Sequence, residues 1–115
     1  MKYLCLIYET DWWHEMPKAE LDAMLTEYRA LGESLHANGQ YVAGQALQPS
    51  STATLVRVRE GKTLTTDGPF AETKEQLSGF YLVEAKDLNE AIQIAARIPS
   101  ARHGAIEVRP IKVFG

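Results

Sequence analysis

The sequence predicts one α+β domain in which strands alternate with two helices, and three observations carry that expectation. Two segments, 17–37 and 87–98, repeat apolar residues every three or four positions, as core-facing helices do. Four others, 2–8, 40–47, 79–85 and 105–113, are short and rich in apolar, β-branched or aromatic residues, as strands are. The chain has 115 residues, 45% of them hydrophobic. That is enough for one core and leaves little room for a second, so residues 1–115 form a single domain.

Residues 2–8 (Lys-Tyr-Leu-Cys-Leu-Ile-Tyr) are a nearly continuous apolar run, which predicts an interior strand covered on both faces. A polar loop with Trp12 and Trp13 follows, where the rings suit the flank of a cleft or an interface. Pro17 then opens a helix over about 17–37, with Glu20 and Asp22 near its positive end. Its core stripe is Leu21, Met24, Leu25, Tyr28, Leu31 and Leu35, and Asn38-Gly39 stops it. After the strand 40–47, residues Thr54–Arg59 alternate cleanly and Glu60-Gly61-Lys62 reads as a tight turn. Thr63–Thr66 then return as a short hairpin arm. The strand 79–85 leads to Asp87-Leu88-Asn89-Glu90, a capping-box start in which residues 87 and 90 satisfy each other's free amides. Leu88, Ala91, Ile92, Ala95 and Ile98 form the second stripe, ended by Pro99. The last strand, 105–113, changes phase near Pro110, which predicts a bend or bulge there and an edge placement beyond it.

Without the hairpin arm the order is βαββαβ, the ferredoxin-like arrangement of one antiparallel sheet. Right-handed crossovers place both helices on the same face. The other face is left open, and a small domain gains by covering it, so a homodimer through facing sheets is expected.

Composition narrows the function. Net charge is −3 with both signs interspersed, and no basic stripe marks a nucleic-acid partner. The N-terminal apolar run is too short for a signal peptide or a membrane span, so no membrane partner and a cytoplasmic location are expected. Cys5 is the only cysteine, which excludes an intrachain disulfide and a cysteine-based zinc site. In its apolar strand it reads as a buried, inert thiol. His14 with Glu9, Asp11 and Glu15 matches no established metal-ligand spacing, and no cofactor or metal is expected.

The distinctive segment is Asp67-Gly68-Pro69-Phe70-Ala71-Glu72-Thr73-Lys74-Glu75. Pro69 stiffens the backbone and would aim the Asp67 carboxylate in a fixed direction just as a strand ends. The plain alternative is a turn whose Asp accepts local amides, followed by a solvated loop. Glu107 and Arg109 share one strand face, and Arg57 and Arg59 share another. Such faces hold either a ligand, with Arg offering paired planar donors, or ion pairs of Arg109 with Glu107 or Asp67.

This run, followed by Gly79-Phe80-Tyr81 and Glu107-Val108-Arg109-Pro110-Ile111, resembles the DGPF group of YCII-related proteins. Three motifs occur in the same order, and the likeness spans nearly the whole chain. It implies the dimeric α+β barrel fold and little about activity, and members of the group are often associated with extracytoplasmic-function sigma factors. Relatives that look like enzymes present a histidine early in the first helix to an aspartate across a cleft, a pairing suited to proton transfer. Here Tyr28 stands near that position, and the only histidine of the helix is His36, so the dyad does not carry over. The candidate catalytic residues are therefore Asp67 as base and Tyr28 as acid. The candidate ligand-binding residues are Arg57, Glu72, Lys74, Tyr81, Glu107 and Arg109, for a small anionic or carbonyl-bearing ligand. The favoured reading is a small-molecule binding domain. The alternatives are an acid–base isomerase or lyase using Asp67 in a cleft near the dimer interface, and a regulatory module tied to sigma-factor-dependent transcription.

Overall fold

The computed structural model describes residues 1–115. In chain order the elements are β1 (Lys2–Glu9), α1 (Lys18–Ala37), β2 (Tyr41–Ala46), β3 (Thr54–Arg59), β4 (Lys62–Asp67), β5 (Gln76–Glu84), α2 (Leu88–Arg97) and β6 (Ala105–Pro110). Short 3₁₀ turns occupy Trp12–Glu15, Ser50–Thr52 and Pro99–Arg102. Strands β2, β5, β1 and β6 form one antiparallel sheet in that order, and β3 and β4 form a separate hairpin. Set aside the hairpin and the fold is ferredoxin-like, as the sequence predicts.

Parity along β1 fixes the layers. Alternate residues of a strand face opposite ways, and Tyr3, Cys5 and Ile7 are all buried. They join Leu31 and Leu35 of α1 and Ala91, Ile94 and Ala95 of α2 in one core, which puts both helices on that face. Leu4, Leu6 and Tyr8 face the other way and are only half-buried. Within the chain β1 is thus covered on one face, not on both. Leu6 lies opposite Phe80, and Leu4 opposite Leu82, so the open face is apolar at its centre.

Several local expectations need correction. Pro17 lies just outside α1, in extended backbone at its N-cap. Leu25, Leu88 and Ile92 are about half exposed, and the core stripe of α2 runs instead through Ala91, Ile94, Ala95 and Ile98. Asp87 does accept the Glu90 amide, at 2.9 Å, but the Glu90 carboxylate reaches the amide of Lys86 and not that of Asp87. The hairpin arm is longer than expected and turns on Glu60 and Gly61, both with positive φ (51° and 74°), a pairing that matches the right-handed twist of its strands. The last strand stops at Pro110 and does not reach Val113: Ile111 N–H still donates to the Lys2 carbonyl at 2.9 Å, where β1 begins and the ladder runs out of partner strand. The bulges lie elsewhere, at Ile7/Tyr8 in the β1–β5 pairing and at Tyr41/Ala43 in β2–β5. No helix is long and apolar enough to cross a membrane.

Candidate functional site

A cleft of about 660 Å³ opens between α1 and the β2–β5 edge of the sheet, a size typical of small-molecule sites. It begins where β1 ends. Glu9 continues the buried phase of Tyr3, Cys5 and Ile7, and so carries a carboxylate to the rim of the core, where it is 4% exposed. The chain then folds back in a single 3₁₀ turn, and both tryptophans of that turn donate to this carboxylate. Trp13 Nε1 reaches Oε1 at 2.7 Å and Trp12 Nε1 reaches Oε2 at 3.0 Å. Ser78 Oγ, from the facing strand β5, donates to Oε1 at 2.8 Å. Three donors and no acceptor suit an ionised carboxylate, which can only accept.

From this clamp a continuous run of rings follows the cleft. His103 stacks on Trp12 (4.1 Å between centroids), and Trp12 stacks on Trp13 (4.5 Å). Trp13 meets Tyr28 (6.0 Å), and Tyr28 lies nearly parallel to Tyr81 (6.5 Å). Tyr81 meets Tyr41 edge-on (6.3 Å), and Tyr41 stacks with His36 (4.1 Å). One of the two glycines that line the cleft on α1 and β2 makes room for a ring. A Cβ on Gly44 would come within 3.0 Å of the Tyr81 ring, whereas the space beside Gly32 on α1 is open.

The phenols are held protonated. Burial pushes the Tyr81 hydroxyl up to about 12, with Tyr28 and Tyr41 adding to the effect. Burial also raises Tyr28, a shift opposed by its hydrogen bond with Ser100. Near neutral pH both are hydrogen-bond donors and not bases. Elsewhere, burial pushes the Cys5 thiol up to about 11 with the side chain wholly enclosed, in keeping with an inert core residue.

Of the candidate catalytic and ligand-binding residues, Tyr28 and Tyr81 meet in the cleft, and Trp13 of the loop lines it as well. The other catalytic and ligand-binding candidates lie outside it. Asp67 ends β4 and is exposed, as is Glu72. Arg57 lies over the Phe70 ring at 5.7 Å, tying the hairpin to the loop that follows it. Glu107 and Arg109 are on the open sheet face and pair with each other at 2.5 Å, the ion-pair alternative, and not with Asp67. Lys74 and Glu107 border a second, more open depression beside His103. Glu9, Ser78 and Ser100 are not among the catalytic or ligand-binding candidates. Parity could have found Glu9, as the fourth member of the alternation Tyr3, Cys5, Ile7. Ser78 and Ser100 carry no local signal, because their roles depend on how β5 and the turn after α2 approach β1 and α1.

The chain is thus a ferredoxin-like α+β domain with one ligand-sized aromatic cleft on its helix-covered side. The family model for the YCII-related domain matches residues 1–115, and the chain belongs to that family. It is 35% identical over 99 residues to "Uncharacterized protein R00369" of Rhizobium meliloti (strain 1021), an alignment that covers 84% of this chain and 80% of that protein.

Proposed function

We propose that this protein is a homodimer whose protomers each bind a small organic molecule in the cleft between α1 and the β2–β5 edge. The observation that carries the reading is the run of rings from Trp13 through Tyr28 and Tyr81 to Tyr41, set around a volume of ligand size. Such walls favour a flat or compact apolar group, and the Tyr28 and Tyr81 hydroxyls suit a carbonyl or other acceptor on it. The anionic class of ligand leaned on Arg57 and Arg109, which engage Phe70 and Glu107 away from the cleft. Acid–base catalysis by Asp67 draws no support from a carboxylate exposed outside the cleft of its own chain. The half-buried apolar face of Leu4, Leu6, Phe80 and Leu82 supports the facing-sheet dimer.

Gly32 offers a direct test, because it lines the cleft and a Cβ there would meet no atom within 4 Å, so a larger side chain should occupy space a ligand needs. Ligand-observed NMR with a set of small aromatic compounds should give binders to the wild type that Gly32→Phe no longer holds. Equal binding by a folded Gly32→Phe variant would place the site elsewhere.

A further inference from the structure

The cleft has a sign. Its lining includes two carboxylates, Glu9 and Asp11, two histidines, His14 and His36, and no lysine or arginine. Glu9 is buried, and each of its three partners is a neutral donor, two indoles and a hydroxyl. Neutral donors satisfy the lone pairs of a carboxylate without supplying a countercharge. None of the chain's ion pairs involves Glu9, since they join Met1 to Glu84, Arg102 to Glu27 and Arg109 to Glu107. A buried carboxylate is ordinarily met by a cation, and here the fold brings none to it.

The rings supply a second observation of independent origin. An aromatic face carries negative charge density, and several faces around one space make a seat for a cation. Trp13, Tyr28, Tyr41 and Tyr81 all line this cleft. Glu9 acts on the same volume from a buried position, where the field is weakly screened. Carboxylate and rings therefore favour the same sign of charge.

The geometry points to an organic cation as the occupant of the cleft: an amine protonated near neutral pH, carrying a flat or compact apolar group. This rests on the cleft being a binding site, and it adds the charge of the ligand. Glu9 then has two parts to play. It holds Trp13 in place as a wall, and it excludes anions of the same shape.

Three probes of like size separate the outcomes: 2-phenylethylammonium, 2-phenylethanol and phenylacetate. Isothermal titration calorimetry is run at pH 8, above the range in which histidine side chains ordinarily carry charge. The ammonium should bind about tenfold more tightly than the alcohol, the rings and the weakly screened carboxylate acting together, and phenylacetate should bind weakest. In Glu9→Gln the preference for ammonium over alcohol should fall to about threefold or less, the share left to the rings. Equal or tighter binding of the alcohol or the acid overturns the cationic assignment while leaving the cleft as a site. Failure of all three probes to bind removes the site and the assignment together. A full preference that survives in a folded Glu9→Gln variant overturns the role of Glu9. The ranking in the wild type decides the sign of the ligand even if that variant does not fold.

Discussion

Tyr28 and Ser100 share a hydrogen bond between their hydroxyls at 2.5 Å, across 72 positions of the chain. It joins the middle of α1 to the turn after α2, and Ser100 is fully enclosed there. A buried hydroxyl left without its partner costs about 1–3 kcal/mol. Ser100→Ala should therefore lower the unfolding free energy by about 1–2 kcal/mol in urea titration. A variant as stable as the wild type would show that the two hydroxyls merely lie close.

Alkaline pH should weaken the fold. Burial raises Tyr81 from 10.0 to about 12 and Cys5 from 9.0 to about 11. Between the unfolded and folded values the native state holds protons that the unfolded chain has lost, so stability falls as pH rises. Their contribution is intact below about pH 9 and is lost progressively between about 9 and 12. Between pH 8 and pH 11 the drop is on the order of 4 kcal/mol. Urea titrations at pH 8 and pH 11 measure it, and Tyr81→Phe should flatten the dependence. A rise in stability over that window would contradict the burial of both groups.

Two glycines of the β2–β5 ladder should respond differently to alanine. At Gly79 a Cβ would meet the backbone carbonyl oxygen of Gln45 at 2.7 Å, and two paired strands cannot both yield. Gly79→Ala should cost about 2–3 kcal/mol. At Gly44 the nearest atom is on the Tyr81 ring, at 3.0 Å, where a ring can tilt, and the Phe80 carbonyl oxygen at 3.2 Å need give only a few tenths of an ångström. Gly44→Ala should change stability by less than about 1 kcal/mol, while weakening binding in the cleft severalfold. Thermal melts and ligand titrations of the two variants separate these effects.

The open sheet face gives a prediction about assembly. Leu6 and Phe80 lie opposite each other on that face. Sedimentation equilibrium at micromolar concentration should find dimers, and a single Leu6→Glu change should yield folded monomers, since two uncompensated carboxylates would be buried at the contact. A monomeric wild type would remove the dimer from the proposed function.

The fold was readable because its signal is periodic. The odd positions of β1 and the stripes of α1 and α2 each repeat what the core demands, so an error at one position is corrected by its neighbours. The misplaced residues are those for which periodicity cannot say how wide a buried stripe is. Leu25, Leu88 and Ile92 fit the helical repeat yet sit at its margin. The site was less readable for a different reason. Tyr28 was found by its approximate place in α1, but Glu9 reads as the polar end of a strand until the loop is seen to fold both indoles back onto it. The stiff Asp67-Gly68-Pro69 turn is the conspicuous feature of the sequence, yet it lies in the exposed connection after the hairpin, away from the cleft.

The Glu9 clamp also gives the protein a built-in optical reporter. The chain has only two tryptophans, and both are held by this one carboxylate, with their rings 4.5 Å apart and inclined by 24°. All indole emission therefore arises beside one cleft, with no background from the rest of the molecule. Two transition dipoles this close couple, so the pair should give a bisignate band in circular dichroism that collapses when the clamp opens. A molecule entering beside Trp13 becomes visible in intensity and colour without a label.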